Sequence, residues 1–173
     1  METGSLIVNL HTFLRKNMKY SRLTKEQLEE LHQEFINFLA TQSITAEEWA
    51  TLKIEKPEVA EQEIDVFSDL VWEGVLTQAK FLENISSQHL YLFHLREDEM
   101  KLIAVKILNE AVDITTKEGF QWLRDNYTSE EVEILTANKG YSEDRNADKF
   151  ALIQQGSNIT KGQLFQWFEA MLA

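Results

Sequence analysis

Residues 57–82 constrain this chain more than any other stretch, because they read as one long helix whose apolar face is too wide for a surface element. Placed at about 100° per residue from Ala60, the side chains of Ile64, Phe67, Val71, Val75 and Leu82 fall within roughly 80° of each other. Leu70, Phe81, Val59 and Val66 widen the arc on one side and Ala79 on the other. A surface helix needs a stripe of only about 100°. The arc therefore predicts a spine packed on two sides by other elements. Pro57 suits the first helical position, where its missing N–H is no loss. Glu58, Glu61 and Glu63 then lie near the positive end of the helix dipole. Gly74 falls inside the apolar arc, which points to a second backbone passing close to it.

The composition narrows the function. There are 17 Lys and Arg against 29 Asp and Glu, a formal charge of −12. A nucleic-acid surface needs clustered basic residues to displace phosphate counterions, so this balance argues against one. It argues equally against docking on anionic lipid. No cysteine occurs, which excludes disulfides, thiol catalysis and cysteine-bound zinc or iron–sulfur clusters. No apolar run is long enough to span a membrane. The patch Leu6–Leu10 lacks the flanks of a signal peptide. A cytoplasmic protein is expected.

Met18-Lys19-Tyr20 reads as a natural start, which makes residues 1–17 a poorly ordered N-terminal extension and residues 18–173 one α+β domain. Thr24 with Gln27 forms a capping box, and Leu23 staples onto Leu28. That helix is expected to run on to about Thr41. Thr45 and Glu48 repeat the grammar for a short helix, and Thr160 with Gln163 repeats it again. His89–Leu95 and Met100–Leu108 flank the polar tetrad Arg96-Glu97-Asp98-Glu99 and predict a β-hairpin. Ile103, Val105 and Ile107 share one face, while Leu102 and Ala104 keep the other partly apolar. Thr115 or Thr116 caps a helix carrying Phe120 and Leu123. Val132–Thr136 alternates as a strand, although Thr128 and Glu131 also suit a helix start; a third strand is favoured. Asn138-Lys139-Gly140 reads as a turn, Ser142 as the cap of a helix to Gln155, and Gly156 as its C′ residue. The expected fold is α+β and helix-rich: a long central helix packed by other helices, with a small two- to three-stranded sheet built on the hairpin.

The runs Met18-Lys19-Tyr20-x-Arg22-Leu23-Thr24, Glu34-Phe35-Ile36-x-Phe38-Leu39-Ala40 and Ile44-Thr45-x-x-Glu48-Trp49 resemble a family of small uncharacterised proteins from Bacteroidetes-type bacteria. The likeness extends through most of the chain after Met18. It implies a bacterial cytoplasmic setting and no particular chemistry.

Candidate chemistry is sparse. His32 falls among apolar positions of the first helix, and Glu29-x-x-His32 matches half of a di-iron helical signature. No second Glu-x-x-His occurs, so a core histidine is the ordinary reading. His89 and His94 are five apart on a strand and point to opposite faces, so they share no metal. Glu99-x-Lys101 beside Asp98 faintly resembles a metal-nuclease pattern, and turn charges explain it better. Lys139, Tyr141 and Arg145 cluster around Gly140 and a helix start, a weak anion site. Nucleophile elbows and phosphate loops are absent. From Glu47 to Glu73 the acidic residues 47, 48, 55, 58, 61, 63, 65, 69 and 73 face only Lys53 and Lys56, which reads as a solvated helix face. Trp72 and Leu76, one turn apart on that acidic side, suggest a partner-contact patch.

The leading expectation is a non-catalytic interaction or accessory protein that self-associates or binds a protein partner, with no cofactor, metal, nucleic acid or membrane involved. The alternative is a small-molecule enzyme or ligand-binding protein with a pocket between the central helix and the sheet, using His32 or His94 as catalytic residues.

Overall fold

The computed structural model describes residues 18–173. The expectation for residues 1–17 lies outside them. The described chain falls into two compact units, one ending at Val75 and one spanning Leu76–Ala173.

The first unit is helical. It holds α1 (Lys25–Glu30), α2 (His32–Thr41), α3 (Ala46–Glu55) and most of α4 (Pro57–Gln78). Both expected capping boxes form: Thr24 accepts from the Gln27 amide and Thr45 from the Glu48 amide, with each partner side chain reaching back. The single helix expected from Thr24 to Thr41 is instead two. Leu31, at φ −98° and ψ 22°, breaks it, while Leu28, Leu31, Phe35, Phe38 and Leu39 still share one packed arc across the break. Leu23, Phe38, Leu39 and Phe67 form the core of this unit. Phe35 joins by edge contacts at 5.0 Å to Phe67 and 5.2 Å to Trp49.

The acidic face of α4 is not simply solvated. Glu61, Asp65, Asp69 and Glu73 recur at every fourth residue, one stripe on a helix. The segment Met18–Leu23 runs along it as a strap. Asp69 accepts from the amides of Lys19 and Tyr20, each at 2.9 Å. Arg22 bridges Asp65 at 2.6 Å and also reaches Glu61, while Lys19 and the Tyr20 hydroxyl donate to Glu73. Burial of the Tyr20 phenol, and next the Glu73 carboxylate, push its pKa up. Leu23 donates its amide to Ser68 inside the unit.

The second unit is built on a sheet. The spine helix ends at Gln78 rather than at Leu82, and Phe81–Ile85 forms β1. Helical and extended placements of Phe81 and Leu82 both bury apolar surface, so periodicity alone did not separate them. Lys149, only 2% exposed, donates to the carbonyls of Leu76 and Ala79 at 2.7 and 3.1 Å and satisfies the end of α4. Gly74 meets nothing within 4 Å of a Cβ position, so no backbone passes close there.

The other strands are β2 (His89–Leu95), β3 (Glu99–Ile107), β4 (Val132–Gly140) and β5 (Asn158–Thr160). All pair antiparallel in the order β4-β3-β2-β1-β5. Among the described residues the sheet thus has five strands, not the two or three expected. The hairpin forms where expected, with Arg96 donating to the Glu99 carbonyl. The favoured strand at Val132 is real and longer, because Asn138-Lys139-Gly140 continues it instead of turning. The short β5 lies in the third capping signature: Thr160 pairs with Phe81, and the following helix has Gly162 as its N-cap. Gly162 sits at φ +77°, and a Cβ there would approach the Phe81 ring to 2.3 Å.

Helices cover both faces. On one, Leu90, Leu92, Ile103, Val105 and Ile107 pack with α5 (Lys117–Asn126) through Leu123 and with α7 (Gln163–Leu172) through Phe165 and Phe168. Thr116 caps α5 by accepting from Gly119. On the other, Leu82, Leu95 and Met100 meet Leu152 and Ile153 of α6 (Arg145–Gln154). Asp144 caps α6 in place of Ser142, whose amide and hydroxyl donate instead to Asp148. Gly156 follows α6 at φ +103° as expected. No helix among the described residues is long and apolar enough to cross a membrane.

Candidate functional site

The sequence candidates separate in the structure. His32 is exposed at the first position of α2, just outside the arc of Leu28, Leu31, Phe35, Phe38 and Leu39 that packs; it is not a core histidine. Trp72 is half-buried against the first core and donates its indole N–H to the Ser21 carbonyl at 3.0 Å. Leu76 is fully buried. The two therefore make no exposed patch. The strap along α4, invisible to a helical wheel, accounts for the cover over Trp72.

His94 lies at the centre of a polar group on the α7 face of the sheet. Cross-strand register places Phe81, His94 and Lys101 side by side. The Phe81 ring stacks on the imidazole at 4.5 Å and 19°, and Phe165 meets it edge-on at 5.4 Å. Arg96 Nε donates to His94 Nδ1 at 3.4 Å, which leaves the ring proton on Nε2. Burial, followed by the Arg96 guanidinium, holds the imidazole below its usual pKa. Glu169 of α7 accepts from Lys101 at 2.8 Å and from Arg96 at 3.5 Å, and these cations keep its carboxyl low. Glu99 bonds Arg96 at 3.4 Å, so the Glu99-x-Lys101 pair belongs to this network and not to an open turn. Sequence reasoning missed Arg96, Glu169 and Phe81, because only strand register and α7 bring them together. Lys139, Tyr141 and Arg145 do not form the anion site expected: Arg145 lies over the Tyr141 ring and donates to the Glu97 carbonyl at 2.8 Å. No group of three histidine, aspartate or glutamate side chains among the described residues is placed to hold a metal ion.

Among the described residues the outer edge of β4 pairs with no further strand. Arg96 donates to the Glu99 carbonyl and Ile107 to that of Gln88, so the odd residues of β3 turn their peptide groups toward β2. The even ones pair with Glu133, Leu135, Ala137 and Lys139. Val132, Ile134, Thr136, Asn138 and Gly140 consequently direct their peptide groups away from the sheet. Among the described residues the amides of Ile134, Thr136, Asn138 and Gly140 have no hydrogen-bond partner. Nine residues long, in unbroken register with β3 and with no proline, β4 carries only the charges of Glu133 and Lys139 among the devices that blunt an edge. Leu135 on it is 63% exposed. The alternation Val132, Ile134, Thr136 was the sequence signal; its continuation through Gly140 was hidden by the turn-like Asn-Lys-Gly. Beside this edge, between α6 and the sheet, lies a groove of about 330 Å³ floored by Phe93, Met100 and Leu102, with Lys139 at its rim.

A family described as "Family of unknown function (DUF6495)" matches residues 18–173. The chain belongs to that family. The matched residues include the strap along α4. No curated protein and no solved structure matches the chain.

Proposed function

We propose that this member of the family is a non-catalytic interaction protein that binds a partner strand along β4. The observation that supports this reading is the row of four outward amides on an unbroken nine-residue edge. Strand addition draws its affinity from main-chain hydrogen bonds and its specificity from alternate side chains. Ile134 and Thr136 offer one set and Leu135 and Ala137 the other. Backbone exchange of the full chain tests it, with an acetylated, amidated peptide of alternating threonine and valine as the probe strand. Increasing peptide is expected to slow exchange at Ile134, Thr136 and Asn138, and Thr136→Pro to abolish that protection. Amides already protected in the dilute chain, or unchanged at saturating peptide, would overturn the reading.

The ligand-binding alternative draws support from the α6 groove rather than from His32. Its volume is within the range of small-molecule sites, and Lys139 has no acidic partner among the described residues. Asp148 at the same rim already accepts twice from Ser142. A small amphipathic anion fits that chemistry. Anilinonaphthalene sulfonate is expected to bind at one saturable site and to be displaced from it by Ala151→Trp; equal dye binding in both proteins sinks this reading.

A further inference from the structure

The chemistry of β4 names its partner, and we infer that the strand accepts β4 of a second copy of this chain, antiparallel about a two-fold axis at Thr136. This rests on the open-edge reading above. Outward peptide groups alternate from Val132 to Gly140, so pairing about Thr136 sets Val132 against Gly140 and Ile134 against Asn138 of the second copy. Each of these pairs then exchanges two hydrogen bonds. Every outward residue of the strand finds a partner in this register.

The side chains agree with the backbone. On the α6 face Glu133 comes opposite Lys139 of the second copy, and by symmetry the pair occurs twice. Leu135 comes opposite Ala137, covering apolar surface that is otherwise 63% exposed. Thr136 meets Thr136 on the other face, a pair suited to hydroxyl hydrogen bonding. No like charges are brought together. Shifting the register by two residues toward the N-terminus puts Glu133 opposite Ala137 and leaves Gly140 outside the strand pairing. The full register is thus the one that both satisfies all nine positions and matches the charges. Glu133 already lies 3.7 Å from Lys106 of its own chain, with both side chains more than half exposed, and remains open to a second cation.

Sedimentation velocity on the full chain, over a concentration series at low and at moderate salt, reads the association. The wild-type chain is expected to dimerise. Glu133→Lys alone and Lys139→Glu alone each place like charges opposite one another twice and weaken the dimer by about tenfold or more. An equimolar mixture of these two single variants, one of them isotope-labelled, is expected to form the heterodimer preferentially in native mass spectrometry, because each Lys then meets a Glu. Both substitutions lie on exposed strand positions, so folding is expected to survive. A wild-type chain that stays monomeric overturns the second-copy inference, while peptide-induced protection of Ile134 and Thr136 would still leave the open edge standing. A dimer indifferent to both charge reversals, or single variants that show no preference for each other, overturns the register. A dimer that also survives Thr136→Pro places the contact between copies elsewhere and overturns pairing at β4, whereas the open edge itself is decided by the peptide-induced protection.

Discussion

At the scale of single residues, the structure separates positions with similar sequence signals. Gly74 lies on the apolar arc of the spine yet has open space around it, so it serves neither a close approach nor a turn. An exposed glycine inside a helix costs about 1 kcal/mol relative to alanine. Gly74→Ala is therefore expected to raise the urea midpoint by about that stability with an unchanged slope. A lowered midpoint would show a hidden contact. His94 shows the opposite case, a polar residue drawn into a stacked and partly desolvated place. Its pKa is depressed in the folded chain, so the unfolded chain binds the extra proton first as pH falls. Stability is then full above the ordinary histidine range near 6.5 and declines as pH drops through it, levelling below the folded pKa. Urea midpoints measured between about pH 7.5 and 5.5 are expected to fall less in His94→Gln, which keeps an acceptor for Arg96 and does not titrate. Equal slopes in the two proteins would remove His94 from that pH dependence.

At the scale of elements, the capping chemistry was legible and the points where one element gives way to another were not. Thr24, Thr45, Thr116 and Gly156 act as their local chemistry dictates, since a cap needs only its neighbours. The end of α4 depends on Lys149, which is about seventy residues away in the chain. Nothing between Gln78 and Phe81 carries a proline or glycine, and an apolar Phe81-Leu82 satisfies a helix as readily as a strand. The third capping signature failed for a related reason: Thr160 is used by pairing with β1, and its hydroxyl contacts Glu83 at 3.2 Å and the Gly162 amide. Lys149→Met keeps the length and apolar stem of the side chain but removes both hydrogen bonds to buried carbonyls. A loss of about 2 kcal/mol is expected in urea unfolding. The effect would be near zero if water reached the Leu76 and Ala79 carbonyls. The strap along α4 belongs to the same scale. Asp69→Ala strips two backbone amides of their acceptor, and a cost of about 1–2 kcal/mol is expected, with Glu61→Ala, which leaves the Asp65 bridge to Arg22 in place, costing less.

At the scale of the whole molecule, little of the candidate site was readable beforehand. The sequence points to Trp72 and Leu76, where apolar side chains interrupt an acidic face, but a surface made of peptide groups has no composition to betray it. Half of its signal was present as the alternation from Val132 to Thr136, and the other half, a charge pattern symmetric about Thr136, acquires meaning only once residues 138–140 are known to be extended. A net charge of −12 opposes association between copies, because each acidic chain repels the next. Pairing at β4 meets this locally by placing Lys139 of each copy against an acid, while long-range repulsion persists and is screened by salt. Two opposing salt effects follow. Moderate salt relieves the global repulsion within a Debye length of about 10 Å, whereas the adjacent Glu133–Lys139 contacts weaken less because they are close. Folding linked to dimerisation also makes the thermal midpoint depend on concentration by mass action. The midpoint of the wild-type chain is therefore expected to rise as concentration increases from about 1 to 100 μM, and to rise further in moderate salt. Lys139→Glu adds to the net negative charge and removes the local compensation, so its midpoint should be flat with concentration at low salt and recover a slope only as salt is added. Scanning calorimetry over those concentrations distinguishes the cases: a wild-type midpoint independent of concentration at every salt is incompatible with folding coupled to pairing at β4.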